Sequence, residues 1–299
     1  MSNGILIIDK PAEFTSFDVI AKLRGMLKIR KLGHGGTLDP MATGVLPILA
    51  GTATKAMDIL PIGEKEYIAG FKLGLRTDTQ DITGRVLSEQ LFHVKQSEFL
   101  PLLSDFTGDI MQTPPMYSAV QVNGVRLYDL ARQGVEVERK ARACTIHSLE
   151  LLDFNEEQAS GTLKLLCSRG TYVRTIIADI GERLGCGAAL TSLRRTLSAG
   201  FSLEGALTLK EAQDKTDEGT LHSFIQPIDI AFKVYPAVEV SQKQAIRFLN
   251  GGALSLDYIS FESDAAFHRL YDPQGAFLGL GEADIEKVEM KVYKLFGRP

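Results

Sequence analysis

Cysteine is scarce in this chain of 299 residues, and the three that occur, Cys144, Cys167 and Cys186, lie far apart. An odd number of widely spaced cysteines fits neither a disulfide framework nor a structural zinc site. The five histidines show no metal-ligand spacing either. We therefore predict that the protein holds no structural metal.

Long apolar runs are missing as well. The short run at residues 5–8 is broken by Asp9, Lys10 and Pro11. It does not fit a secretory signal, and no other run approaches the length of a membrane span. We therefore expect a cytoplasmic protein without a membrane partner. The sequence also lacks a P-loop, a dinucleotide-binding fingerprint and internal repeats.

The net charge is small, at −4, which argues weakly against nucleic acid as a partner. The charge is distributed unevenly, however, because residues 202–299 carry more acids than bases and residues 22–31 carry no acid. A basic working face can therefore accompany an acidic C-terminal part, although a solvated helix face explains residues 22–31 equally well. The basic side chains of that segment are Lys22, Arg24, Lys28, Arg30 and Lys31.

The chain does contain a segment rich in glycine and proline, GHGGTLDPMATGVLP, at residues 33–47. It carries one carboxylate, Asp39, and one imidazole, His34, among residues that let a backbone approach a ligand closely. Pro40 biases Asp39 away from the α region. The residues alone leave two interpretations open. One is a loop that presents an acid or nucleophile, and the simpler one is a tight turn whose aspartate bonds its own backbone.

Hydrophobic periodicity predicts a mixture of helices and strands. A capping box at Thr15 and Asp18 opens a helix, and Tyr67 lies on a strand predicted at residues 65–73. From about residue 235 the pattern changes to short alternating runs separated by turn sequences. This change indicates a separate small β domain.

A second helix is well marked after residue 170. Thr171 is expected to cap it, apolar residues repeat at helical spacing, and Gly185 can end it. Arg174 lies in its first turn, off the apolar stripe, where a cation opposes the helix dipole. A partner anion would compensate for that position, but a solvated surface arginine is the simpler explanation for this residue alone.

Six segments follow one another along the chain in a distinctive order. They are GILIIDKPAEFTS at 4–16, GHGGTLDPMATGVLP at 33–47, EKEYIAGFKLGLRTDTQDITG at 64–84, QTPPMYSAVQVNGVRLYDLARQG at 112–134, SRGTYVRTIIADIGERLGCGA at 168–188 and LRR at 193–195. Together they strongly resemble the TruB family of pseudouridine synthases, which modify uridine 55 in the T-loop of tRNA. The resemblance covers nearly the whole chain.

The resemblance implies an α+β fold. Its pseudouridine-synthase core, at residues 1–233, would have a mixed, mainly antiparallel β-sheet flanked by helices, and residues 126–142 would form a mobile RNA-contacting segment. A small PUA-like RNA-binding β domain would follow at residues 234–299. The implied activity is the conversion of uridine 55 of tRNA to pseudouridine, with base flipping and without a cofactor. We expect the T-arm stem-loop of tRNA as the partner, a monomer, and no obligate protein partner.

Carried over residue by residue, the resemblance makes Asp39 the catalytic aspartate, Tyr67 the ring that stacks on the target base, and Arg174 the partner of the aspartate. His34 would fill the gap left by the flipped base. Further positions expected to bind substrate or RNA are Asp81, Tyr172, Leu193, Arg194, Lys22, Lys28, Arg30 and Lys31. Arg195 is expected to grip RNA beside Arg194.

The reaction breaks the N1–C1′ bond and forms a C5–C1′ bond. The carboxylate could attack C1′ or C6, or abstract the 2′ proton, and the sequence leaves these routes open.

Two alternative functions also stay open: a non-catalytic RNA-binding module, and a guide-dependent synthase within a protein–RNA complex. The segment at residues 112–142 favours the stand-alone type. Many relatives have lysine where this chain has Gln121, which would weaken one phosphate contact.

Overall fold

The computed structural model describes residues 3–262 and 264–297, so the predicted domain limits at residues 1 and 299 lie outside the described part of the chain. In chain order, its strands are β1 (Gly4–Lys10), β2 (Leu32–His34), β3 (Thr43–Ala50), β4 (Lys65–Leu73), β5 (Leu75–Thr77), β6 (Val86–Glu89), β7 (Gly108–Gln112), β8 (Gln121–Val122), β9 (Val125–Arg126), β10 (Arg142–Asn155), β11 (Ser160–Cys167), β12 (Ala188–Ser198), β13 (Phe201–Ser202), β14 (Leu207–Thr208), β15 (Ala237–Glu239), β16 (Leu254–Ser255), β17 (Phe267–Tyr271), β18 (Phe277–Asp284) and β19 (Glu289–Leu295).

Helices of both kinds connect these strands. The α-helices are α1 (Ser16–Leu27), α2 (Gln96–Phe99), α3 (Leu127–Arg132), α4 (Val173–Arg183), α5 (Leu209–Asp217) and α6 (Gln242–Leu249). Short 3₁₀ helices occupy Gly51–Ala56, Leu100–Phe106, Leu221–Phe224, Ile228–Phe232 and Leu256–Tyr258. Within the described ranges, no helix combines the length and the apolar character needed to cross a bilayer.

The large sheet has the strand order β14-β1-β3-β12-β4-β11-β10-β7, with β13 attached to β12 and β2 attached to β3. β1 pairs with β14, and β3 with β12, in parallel. The other neighbours are antiparallel. The apolar stripe of α4, which includes Ile176 and Ile180, packs in one cluster with Phe71 and Leu165 of this sheet. The predicted mixed, mainly antiparallel sheet flanked by helices is therefore confirmed.

A second sheet, with the order β15-β17-β18-β19-β16, forms the C-terminal part of the described chain. Phe248 of α6 packs with Leu270 and Met290 in its core. A further apolar cluster joins the two parts, because it contains Ile5 and Val45 from the large sheet together with Phe296 from the C-terminal part. The small β unit is thus fixed to the core by a shared apolar contact.

Two local predictions have different outcomes. The capping box of α1 is confirmed, since the Asp18 N–H donates to Thr15 Oγ1 at 3.1 Å and the Thr15 N–H donates to Asp18 Oδ2 at 2.8 Å. The prediction that Thr171 caps α4 is wrong. Tyr172 is the N-cap without a side-chain bond, and the Thr171 hydroxyl donates instead to the carbonyl of Ser168 at 3.0 Å. The helix begins one residue too late for Thr171 to reach its free amides.

Candidate active site

Asp39 lies in the loop between β2 and β3, at the first position of a tight turn. The Ala42 N–H donates to the Asp39 carbonyl at 3.1 Å, and the Glu13 N–H donates to the Pro40 carbonyl at 2.8 Å. Proline after the first residue is typical of such a turn, because its fixed φ suits the second position. The turn interpretation is thus right for the backbone, but the carboxylate has a different partner.

That partner is Arg174, whose Nε donates to Oδ2 of Asp39 at 2.8 Å. The arginine is 5% exposed. Its terminal nitrogens donate to the carbonyl of Thr79 and to the carbonyl of Tyr117, each at 2.8 Å. The interpretation of Arg174 as a solvated surface residue is therefore wrong, because its side chain is buried. The ion pair with Asp39 offsets the unfavourable position of a cation at the start of α4.

A second carboxylate faces the same guanidinium. Oδ2 of Asp81 lies 3.8 Å from Nε of Arg174, and Asp81 is buried. Its Oδ1 accepts hydrogen bonds from the hydroxyl of Thr79 at 2.8 Å and from the hydroxyl and N–H of Thr83 at 2.6 and 2.9 Å. Asp81 is thus held away from solvent by its own loop and helps to balance the charge of Arg174.

A cavity of about 210 Å³ opens above the pair. Five of the predicted site residues line it: Asp39, Tyr67, Tyr172, Arg174 and Leu193. The backbone of Tyr172 is fixed by the side chain of Gln112, which accepts from its N–H at 2.7 Å and donates to its carbonyl at 3.0 Å. The structure therefore gathers, around one carboxylate, side chains that are far apart in the sequence.

Tyr67 lies in the wall of this cavity on β4 and is 5% exposed. Burial raises the pKa of its phenol above the ordinary value, although the nearby guanidinium of Arg195 opposes that change. The hydroxyl is therefore protonated at neutral pH. In that state it can donate a hydrogen bond to a bound base, while its ring offers a stacking surface.

Other predicted residues lie away from this cavity. His34 is in the wall of an adjoining one. Arg194 makes an ion pair with Asp9, with Nη2 2.7 Å from Oδ2. The basic residues predicted within α1 and just after it are exposed, as expected; they are Lys22, Lys28, Arg30 and Lys31.

The expectation that Arg195 grips RNA is wrong. Arg195 has no exposed surface, and its guanidinium donates to the carbonyls of Val45 at 2.8 Å, Thr37 at 3.3 Å and Gly36 at 3.1 Å. It therefore holds the loop that carries Asp39 rather than a ligand. Period-two alternation along β12 was the available signal, because it places Arg195 on the same face as buried Leu193.

Lys10 is a second buried cation that sequence reasoning missed. Its ammonium donates to the carbonyls of Pro11 at 2.8 Å, Phe14 at 2.6 Å and Pro40 at 3.2 Å. Burial lowers the pKa of Lys10 to about 8, against the opposing influence of Asp39. Lys10 and Arg195 thus fix the aspartate loop from two sides.

The described residues contain no cluster of three or more histidine, cysteine, aspartate or glutamate side chains arranged to hold a metal ion. A larger groove of about 890 Å³ lies elsewhere, along Phe71, Glu89, His93 and Asp153. Its lining includes none of the predicted site residues among those that the structure describes. The cavity above Asp39 is therefore the candidate active site.

Comparison with protein families gives three matches along the chain. Residues 24–173 match the N-terminal domain of TruB family pseudouridylate synthases. Residues 174–233 match the C-terminal domain of tRNA pseudouridylate synthase B, and residues 236–290 match the C-terminal domain of pseudouridine synthase II TruB.

Curated relatives match over most of their length. A protein named tRNA pseudouridine synthase B from Clostridium kluyveri is 40% identical over 295 residues, covering 98% of this chain and 99% of that protein. One of the same name from Geobacillus thermodenitrificans is 43% identical over 268 residues, covering 88% and 89%. Another, from Dechloromonas aromatica, is 41% identical over 280 residues, covering 94% and 91%.

Solved structures show the same architecture. A chain in the crystal structure of a Cbf5-Nop10-Gar1 complex is 25% identical, with a TM-score of 0.76, and the match covers 99% of this chain and 86% of that one. A chain in the archaeal box H/ACA sRNP Nop10-Cbf5 complex is 24% identical, with a TM-score of 0.75, and the match covers 99% and 87%. The second likeness supports the fold alone.

Proposed function

The chain belongs to the TruB family of pseudouridylate synthases, and we propose that it isomerises uridine 55 in the T-loop of tRNA to pseudouridine. The single observation that carries the proposal is the ion pair between Asp39 and buried Arg174 in the wall of a base-sized cavity. Relatives named tRNA pseudouridine synthase B, at about 40% identity over nearly the whole chain, supply the substrate class.

Asp39 is the proposed reactive group. Its side chain is 36% exposed, so it can reach a bound nucleotide while Arg174 keeps it oriented through the ion pair. A carboxylate in this state can form a covalent intermediate at C1′ or C6, or take the 2′ proton. The reaction neither oxidises nor reduces the substrate, and it transfers no phosphoryl group. It therefore requires neither a redox cofactor nor a nucleotide cofactor.

Base flipping is the proposed route of entry, because Asp39 lines a cavity of about 210 Å³ and a base stacked inside an RNA loop has to be extruded before a side chain can reach its target atoms. Extruding a base costs a few kcal/mol, and stacking on an aromatic ring returns about 1–3 kcal/mol. Tyr67 offers that ring, with Leu193 in the same cavity. His34 is the proposed side chain that fills the vacated space in the RNA.

RNA outside the cavity would be held by exposed cations and by the C-terminal unit. Electrostatic contact with phosphates is independent of sequence and falls with salt. The proposed contacts are Lys22, Lys28, Arg30, Lys31, Arg194, the segment at residues 126–142 and a PUA-like domain at residues 234–299, after a catalytic domain at residues 1–233. We propose that the protein works as a monomer without an obligate protein partner.

The test is tritium release from a T-arm stem-loop labelled at C5 of uridine 55, without added protein, nucleotide or metal. The wild-type protein should release tritium and the Asp39→Ala variant should not. Asp105→Ala is the matched control, because Asp105 is an exposed aspartate that pairs only weakly with Arg183, at 3.4 Å. It should keep wild-type rates.

Two results would contradict the proposal. Release from a stem-loop labelled only at other uridines would move the target away from position 55. Tight RNA binding without release by the wild-type protein would indicate a binding module, or a synthase that needs a partner.

A further inference from the structure

A second cavity, also of about 210 Å³, adjoins the one above Asp39. Thr37 and Lys65 line both cavities, so the two are parts of one continuous surface. Three glycines, Gly35, Gly36 and Gly63, contribute to the second cavity. A Cβ atom on Gly36 would come within 3.4 Å of the Lys65 ammonium. The absence of that side chain keeps the approach to Lys65 open.

Positive charge dominates this second cavity. Lys65 and Arg169 line it, and Asp58, an exposed residue, is the one acid among its lining residues in the described chain. Burial lowers the pKa of Lys65 to about 8, and the guanidiniums of Arg195 and Arg169 add to that effect. Among the described residues, no carboxylate lies within ion-pairing distance of the Lys65 ammonium. A half-buried ammonium that faces two guanidiniums would be stabilised by an anion in the cavity.

Two unpartnered polar atoms lie in the same wall. The hydroxyl of Ser198 and Nδ1 of His34 are buried, and neither has a hydrogen-bond partner within the described structure. Both residues line the second cavity, and Ser198 is the register partner of Lys65 between β12 and β4. Buried polar groups are rarely left unsatisfied. An occupant of this cavity that accepts hydrogen bonds is the kind of partner that these two groups lack.

We propose that this second cavity is a phosphate subsite, in which Lys65 and Arg169 bind the RNA backbone phosphate next to the target nucleotide. The inference rests on the proposed function, because it takes the occupant of the first cavity to be a nucleotide. A backbone phosphate fits better than a free anion, since the two cavities are continuous through Lys65. The cationic lining favours a phosphate over a base, because a neutral base would leave the charge of Lys65 unpaired.

The test compares RNA affinity and isomerisation in Lys65→Gln, Lys65→Arg and the wild-type protein. Lys72→Gln is the matched control, because Lys72 also lies on β4 but is exposed and pairs with Glu89 at 3.7 Å. Each protein is assayed with T-arm stem-loops that carry one neutral methylphosphonate linkage, placed in turn at each position around uridine 55. Inorganic phosphate is added separately as a competitor.

We expect Lys65→Gln to weaken binding of the unmodified stem-loop by about tenfold. The slope of log affinity against log salt should fall by about one phosphate contact. Lys65→Arg should keep most of the affinity, and Lys72→Gln should match the wild-type protein. One methylphosphonate next to the target should weaken wild-type binding while leaving Lys65→Gln unaffected, because that variant has already lost the contact.

The subsite is overturned if no linkage shows this non-additivity, or if Lys65→Gln binds as well as Lys72→Gln. It is also overturned if Lys65→Arg loses as much affinity as Lys65→Gln together with a lower Tm, since Lys65 is then structural. Strong competition by inorganic phosphate with no effect of any methylphosphonate would assign the site to a free anion. Missing tritium release with intact RNA binding counts against the proposed function alone.

Discussion

Nε of Arg174 donates to Oδ2 of Asp39 at 2.8 Å, and this contact joins the loop before β3 to the first turn of α4. The other nitrogens of the guanidinium are occupied by the carbonyls of Thr79 and Tyr117. The arginine therefore cannot turn freely with a substrate. The Asp39 carboxylate, which we propose as the reactive group, is therefore already oriented in the free protein, an arrangement that makes electrostatic stabilisation effective.

Replacement of Arg174 by lysine should lower kcat by about 100-fold or more, because one ammonium cannot replace three directed contacts and small misplacements of a reactive group are costly. Single-turnover tritium release measures this effect. Arg183→Lys, on the same helix but in an exposed pair with Asp105, is the control and should be neutral. A near-normal kcat in Arg174→Lys would remove Arg174 from its orienting role.

Tyr67→Phe should bind the stem-loop with wild-type affinity and react at least about tenfold more slowly, because the ring remains for stacking while the hydroxyl is lost. Burial raises the pKa of Tyr67, so we expect the wild-type hydroxyl to work as a donor at neutral pH. Binding by fluorescence anisotropy and single-turnover rates separate the two roles. Equal rates for the two proteins would dispose of the hydroxyl role.

RNA affinity should fall as the pH rises through about 8, because the pKa of Lys65 is lowered to about 8 and the proposed phosphate contact needs the ammonium. Between pH 7 and pH 9 the wild-type protein should lose up to about tenfold more affinity than Lys65→Arg. Lys65 also lies near other charged or titratable groups of both cavities, which are Arg169, Arg195, Cys167, His34, Asp58, Asp39, Tyr67, Tyr172 and Arg174.

The stability of the RNA-free protein should change with pH in the opposite direction to its RNA affinity, because of the same lysine. The lysine pKa is lower in the folded state than the ordinary 10.5, so the unfolded chain binds more protons between about pH 8 and 10.5. The contribution of this group to the free energy of unfolding therefore rises with pH across that window. Thermal melts of wild-type protein and Lys65→Arg across this pH window would measure that contribution. A Tm that falls with pH in parallel with RNA affinity would contradict the prediction.

Gly44→Ala should destabilise the protein by about 1–3 kcal/mol from backbone strain alone, since Gly44 has φ of 106°. A Cβ atom there would also overlap the carbonyl oxygen of Arg195, where β3 and β12 run in parallel. Gly25→Ala is the matched control, because nothing lies within 4 Å of its Cβ position in α1. It should stabilise the protein by about 0.5–1 kcal/mol. Urea unfolding of both variants measures the contrast.

Local pattern was enough to predict several elements. The capping box at Thr15, the strand that carries Tyr67 and the end of α4 near Gly185 depend on neighbours in sequence, and the structure contains all three. The place of Asp39 in a turn followed from Pro40 for the same reason. These features are local, so their physical causes can be read from a few adjacent residues.

The charged residues that shape the site could not be placed in this way. Arg174 looked like a surface cation because its partner, Asp39, comes from a distant loop. Lys10 and Arg195 are buried, and Lys65 is half-buried, by elements that meet only in the folded protein. Their burial depends on carbonyls and cavities that no local periodicity reveals. The resemblance to a family gave the expected roles of Asp39 and Arg174, but it did not indicate that Lys10 and Arg195 are buried behind the Asp39 loop.

During translation, strand β1 waits a long time for some of the residues that pack against it. One face of β1 is covered by the cluster that contains both Ile5 and Phe296, so this face is closed only after β19 has been made. At 5–20 residues per second, ribosomal synthesis exposes it for roughly tens of seconds, far longer than hydrophobic collapse takes. We therefore expect this face of β1 to stay incompletely covered, and open to chaperone binding, until residue 296 has been made.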